Sequence, residues 1–131
     1  MRLVLSTVAA AVAVLPVAAL AASTTFTAWN GLRARMTGPE TFIVLYRGAP
    51  GDSDFWCAAG EFVVHGLRLP SNTRIYRLSP PPRRAGQGIE FTFDSSKAQP
   101  SGISRFGNTD EGYSAAAARG LCDGRVFPRV F

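Results

Sequence analysis

At 131 residues the chain is long enough for one domain with a modest core and too short for several. Its 14 basic and 9 acidic residues give a net charge of +5. The basic residues are scattered rather than blocked, which speaks against a nucleic-acid-binding stripe.

The N-terminus has the parts of a secretory leader. Arg2 precedes an apolar run from Leu3 to Leu15, Pro16 breaks it, and Ala19-Leu20-Ala21 places small residues where a signal peptidase reads. A membrane anchor is the competing reading. The run before Pro16 is shorter than the ~20 residues of a spanning helix, so cleavage is favoured. We therefore expect a leader over 1–21, and residues 22–131 as a single exported domain with no membrane span. The periplasm is the first expectation for its location and the medium the second. No cysteine follows the cleavage point, so no lipid anchor is expected. Loss of Arg2 takes the net charge to +4, and every remaining basic residue except Lys97 is arginine. Arginine suits phosphate and carboxylate recognition, though base composition of the gene enriches it equally well.

Phe26 to Trp29 reads as a short extended segment, followed by a turn at Asn30-Gly31. Leu32 to Met36 alternates apolar and basic residues. Thr37-Gly38-Pro39-Glu40 is a turn leading into Thr41 to Arg47, whose β-branched and aromatic content marks the strongest strand. A four-residue turn pairs Met36 with Thr41. It also places Ala34 opposite Ile43 and Leu32 opposite Leu45 on one face, with Arg33, Arg35, Phe42, Val44 and Tyr46 on the other. The second strand is apolar on both faces, so it should be central or covered twice.

After Gly48-Ala49-Pro50-Gly51, either Asp52 or Ser53 offers an N-cap. Phe55, Ala59, Phe62, Val63 and Leu67 then recur at helical spacing. We expect the main helix over Ser53 to His65, stopped by Gly66, with its apolar stripe on the sheet. Thr73 to Ser79 and Gly88 to Ser95 read as a β-hairpin around a projecting proline-rich loop, Pro80 to Gln87. The expected register faces Leu78 with Ile89 and Tyr76 with Phe91 inside, and Arg77 with Glu90 and Ile75 with Thr92 outside. Ser96 to Gly112 is polar and reads as a surface loop. Tyr113 to Arg119 suggests a short second helix ended by Gly120, and Val126 to Phe131 forms an apolar tail. The fold class expected is α+β: a small, mostly antiparallel sheet with one main helix packed on it and a short C-terminal helix.

The chemistry is sparse. Cys57 and Cys122 are the two cysteines, and an even count in an exported chain reads as a disulfide. The bridge would close a 65-residue separation and tie the main helix to the C-terminal part. In the chain-entropy account such a loop is worth roughly 4 kcal/mol. Cys57 with His65 is the one conceivable nucleophile–base pair, and eight helical residues hold them about 12 Å apart. His65 alone has no recognised metal-ligand spacing, so neither a metal nor a cofactor is expected. Asp52, Asp54, Glu61, Glu90 and Asp94 supply carboxylates, but nothing in the sequence sets a pair across a cleft. No nucleophile elbow surrounds Ser53, and Gly86-Gln-Gly88 lacks the context of a phosphate loop. The best candidate is a surface: Arg33, Arg35, Phe42 and Tyr46, with Val44, would present guanidinium groups beside aromatic rings. Such a surface suits an anionic or aromatic ligand or a protein partner, unless the C-terminal tail covers it.

The segment Asp54-Phe-Trp-Cys57-Ala-Ala-Gly60-Glu61 resembles a helix motif of uncharacterised small exported proteins of alphaproteobacteria. Phe26-Thr-Ala-Trp29-Asn-Gly31, Arg74-Ile-Tyr76 and Ser114-Ala-Ala-Ala-Ala-Arg119 ahead of Cys122 look similar as well. The resemblance implies that the two cysteines belong to a shared framework, and it carries no activity, cofactor or site. The sequence thus points to a non-catalytic exported accessory or binding module. A small periplasmic hydrolase or thiol-dependent enzyme is the alternative.

Overall fold

The computed structural model describes residues 24–48, 50–103 and 109–122. The expected leader and the apolar tail lie outside the described residues. The protein is an α+β domain. Its antiparallel sheet has the order β1-β2-β3-β5-β4-β6, from β1 (Phe26–Thr27), β2 (Arg33–Met36), β3 (Thr41–Val44), β4 (Arg74–Arg77), β5 (Ile89–Thr92) and β6 (Tyr113–Ser114). Helix α1 (Asp52–Glu61) packs on the sheet and continues as a π-helical turn, Phe62–Gly66. Helix α2 (Ala115–Gly120) packs on α1.

The first hairpin follows its turn chemistry. Gly31 takes φ +88°, Ala28 N–H donates to Leu32 O at 2.8 Å, and Asn30 Oδ1 accepts from Leu32 N–H. The Asn30 side chain also donates to Asp54 O, pinning this turn to the first turn of α1.

The β2–β3 register differs by one residue from the expected one. Ala34 faces Val44, Arg35 faces Ile43 and Met36 faces Phe42. The turn is responsible: Thr37 N–H donates to Thr41 O and the two threonine hydroxyls meet at 2.9 Å, leaving a three-residue loop rather than four. Phe42 and Val44 therefore lie in the core with Ala34, and Arg33 and Arg35 are exposed on the other face. Because β3 is apolar on both faces, its hydrophobic pattern fits either register, and the turn decides.

Helix α1 begins one residue earlier than expected. Its N-cap is Gly51, whose N–H donates to the Asp54 carboxylate at 2.7 Å, so neither Asp52 nor Ser53 serves as the cap. Asp54 to Gly60 are all buried, since α1 meets the sheet on one side and α2 on the other. Gly60 makes the second contact possible. A Cβ there would lie 2.7 Å from Ala115 O and 2.8 Å from Arg119 N. Ser114 Oγ caps α2 by accepting from Ala117 N–H. Cys57 is joined to Cys122, just beyond α2.

The helix does not end at Gly66 by a left-handed glycine. It widens to an i→i+5 bond from Leu67 N–H to Phe62 O, and the left-handed residue is Arg68, φ +59°. Gly66 is glycine for space instead: a Cβ would meet the Phe62 ring at 2.8 Å and the Phe26 ring at 3.2 Å.

The second hairpin also shifts by one. Tyr76 faces Thr92 and Arg77 faces Phe91, which sends Ile75 and Arg77 into the core. Leu78 and Ser79 N–H both donate to Glu90 O, so the strand is irregular beyond Arg77. The expected Arg77–Glu90 pair is not formed. Arg77, 1% exposed, donates through Nη1 to Asp52 at 3.0 Å and to Ser101 O at 3.3 Å, and through Nε to Ser79 O at 2.8 Å. These partners satisfy Nε and Nη1 of a charge that the alternation of the strand would have placed in water, while Nη2 is buried with no hydrogen bond among the described residues.

Two expected surface loops are anchored. Ser101 and Ile103, from the polar stretch after β5, are buried. Trp56 Nε1–H donates to Ser101 O at 2.9 Å, and Tyr113 packs edge-on against Trp56 at 4.8 Å. The proline-rich loop folds back on the domain: the Arg83 guanidinium stands 4.9 Å over the Phe55 ring and 5.2 Å over that of Tyr46.

Candidate functional site

The chain leaves the C-terminal end of β3 through Leu45, Tyr46 and Arg47. Leu45 N–H donates to Arg33 O at 2.8 Å, which fixes β2 beside this exit. Arg33, Leu45, Tyr46 and Arg47 together line an open cleft of about 300 Å³. Gly88 supports it from β5's side. A Cβ on Gly88 would collide with Val44 O and lie 3.2 Å from Leu45 Cα, so the close approach of that backbone needs glycine.

The cleft is cationic. Arg33 and Arg47 are exposed and have no carboxylate partner among the described residues. Tyr46 is 41% exposed and is held by Arg83, which is itself fixed by hydrogen bonds from Nη1 to Arg84 O and Gln87 O. The stack Phe55–Arg83–Tyr46 thus sets a phenol ring in a cleft that Arg33 and Arg47 also line. Arg33 and Arg47 offer forked N–H donors matched to carboxylate, phosphate or sulfate oxygens, and the ring offers a stacking surface.

Of the residues singled out from the sequence, the structure brings together Arg33 and Tyr46. Arg35 lies one pair further along the outer face, opposite Ile43 and outside the cleft lining, with Glu90 on the far side of Ile43. Phe42 is fully buried under α1 and belongs to the core: its ring packs on Phe91 and Phe62, 5.3 and 5.1 Å away. Val44 is buried likewise. Sequence reasoning missed Arg47 and Arg83. Arg47 follows Tyr46 directly and could have been included. Arg83 carried no signal, because a loop read as projecting gives no reason to return to the sheet.

Neither thiol is free. Both cysteines are in the disulfide, Cys57 is buried, and His65 is exposed at the end of the π-helical turn. Among the described residues no three His, Cys, Asp or Glu side chains are grouped so as to hold a metal ion. No described helix is long and apolar enough to cross a membrane.

The fold and the cleft define a disulfide-bonded α+β domain with an arginine–tyrosine cleft at the C-terminal end of β3. Comparison with family models, with curated proteins and with solved structures finds no match.

Proposed function

We propose that this protein is a non-catalytic exported module that binds an anionic ligand carrying an aromatic or apolar group in the Arg33–Tyr46–Arg47 cleft. The observation that carries this reading is one cleft lined by an exposed tyrosine, over which Arg83 stacks, and by two guanidinium groups with no carboxylate partner among the described residues. A held ring loses little conformational freedom on binding, and guanidinium groups without internal partners lose no salt bridge. Export to an oxidising compartment, with the periplasm first, agrees with a leader and with a disulfide, and the sequence resemblance to small exported proteins fits the same picture.

The alternative, a small hydrolase or thiol-dependent enzyme, finds less support. A thiol nucleophile would first require reduction of Cys57–Cys122, which also removes the link between α1 and the end of α2.

Calorimetric titration with phenyl phosphate, with phenol as the neutral control, tests the binding reading. Phenyl phosphate should bind at one site, more weakly as salt rises, and phenol should bind at least tenfold less tightly. Arg33→Ala and Arg47→Ala should each weaken phenyl phosphate about tenfold without changing the melting temperature, in line with the worth of one charge-assisted hydrogen bond. Equal binding of the two probes, or none, would reject the cleft. N-terminal sequencing of the protein recovered from a periplasmic extract tests export, and the expected first residue is Ala22.

A further inference from the structure

A second cleft lies where β1 and the end of β2 meet the π-helical turn. Phe26, Met36, Phe62 and Leu67 form its floor, Thr24, Thr25, His65 and Arg68 stand at its rim, and its volume is about 440 Å³. That is within the roughly 300–1,000 Å³ range of small-ligand sites. Three features meet there. The π-helical turn, a form frequent at functional sites, widens the helix where the cleft opens. Gly66 supplies a wall of bare backbone because the Phe62 and Phe26 rings leave no room for a side chain. Arg68 is the one non-glycine residue with a positive φ among the described residues. Glycine would take this backbone conformation at no steric cost, yet an arginine is held there, at the mouth of an apolar cleft.

The chemistry of the walls selects a ligand. No carboxylate is among the described lining residues, and Arg68 has no ion-pair partner among them. We propose that this cleft binds one medium-chain carboxylate, with its anionic end at Arg68 and His65 and its chain along Phe26, Met36 and Phe62. The site is distinct from the Arg33–Tyr46–Arg47 cleft, with which it shares no lining residue among the described residues.

Titration of the disulfide-bonded protein with octanoate, hexanoate and 1-octanol tests it. Octanoate should bind one to one. Hexanoate should bind more than tenfold less tightly, since each buried methylene is worth about fourfold in affinity. Octanol, which lacks the charge, should bind about tenfold less tightly than octanoate. Arg68→Gly should reduce octanoate affinity to that of octanol, leave octanol unchanged, and not lower the melting temperature, because glycine relieves the left-handed backbone. A purely structural role for Arg68 would not separate the two ligands. Met36→Trp should fill the cleft and abolish both. The proposal is overturned if octanoate and octanol bind equally, if neither binds, or if Arg68→Gly changes nothing. It is overturned as well if Arg33→Ala with Arg47→Ala removes octanoate binding. Adsorption to phosphatidylglycerol vesicles without one-to-one octanoate binding would assign the surface to membranes instead.

Discussion

Arg77 shows how a single residue can override the pattern of its strand. A buried guanidinium needs partners, and Asp52, Ser79 O and Ser101 O provide them for Nε and Nη1 from three separate segments. Removing the Asp52 carboxylate should cost about 2 kcal/mol by urea denaturation, less than for a fully buried pair because Asp52 keeps some contact with water. In an Arg77→Met background the same Asp52→Ala change should cost no more than about 0.5 kcal/mol, since no buried charge is then stranded. Gly102 belongs to this arrangement. It adopts φ +79°, and a Cβ would collide with both the Asp52 carboxylate and the Arg77 guanidinium. Gly86 has a similar φ with nothing nearby. Thermal unfolding should therefore show Gly86→Ala costing about 1 kcal/mol, from the backbone alone, and Gly102→Ala costing about 3 kcal/mol or more. Asp94 gives a pH-dependent check. The Ser96 hydroxyl and backbone N–H donate to its carboxylate and hold its pKa below the ordinary aspartate value. The folded state thus favours the ionised form. Its small contribution is present above the ordinary aspartate range and is lost as pH falls through the folded value. An NMR titration should place the Asp94 midpoint low, and Ser96→Ala should raise it.

At the scale of elements, the crossing of α1 and α2 depends on a residue that weakens an isolated helix. Glycine inside a helix costs about 1 kcal/mol relative to alanine, so propensity alone predicts that Gly60→Ala stabilises. The Ala115 carbonyl and Arg119 amide leave no space for a methyl group, and these are backbone atoms that cannot rotate away. The substitution should lose about 2 kcal/mol in chemical denaturation, and a gain would show that the helices separate readily. The hairpins show the limits of reading elements from sequence. All six regions that read as extended or helical before residue 96 contain the expected element, because periodicity and turn residues are local signals. Both registers nevertheless shift by one residue. β3, with Phe42, Ile43 and Val44 in succession and Leu45 directly after, has no polar face to orient it. β4 has alternation, but its inward arginine inverts the rule by which the faces are told apart. The candidate site inherits that error. Phe42 leaves the surface when the register moves, whereas Arg33 and Tyr46 stay exposed at the strand ends.

For the whole molecule, the disulfide links the first half of the chain to the last described turn. Cys57→Ser, Cys122→Ser and the double variant should each lose about 3–4 kcal/mol, with the double no worse than either single. Additive losses in urea denaturation would mean that the sulfurs act separately. The bridge joins α1 to α2, so it should also set how firmly Trp56 and Tyr113 close over Ser101. The composition and order of local signals were enough to determine an α+β domain, its main helix, its hairpins and its cysteine pair, since each depends on neighbours along the chain or, for the pair, on there being two cysteines. The tertiary structure alone decided the strand registers, the burial of Arg77 and the return of Arg83 onto Tyr46 and Phe55. It also decided the clefts. These depend on which distant groups meet a charge or fill a gap once the chain has closed, and no local pattern encodes that meeting.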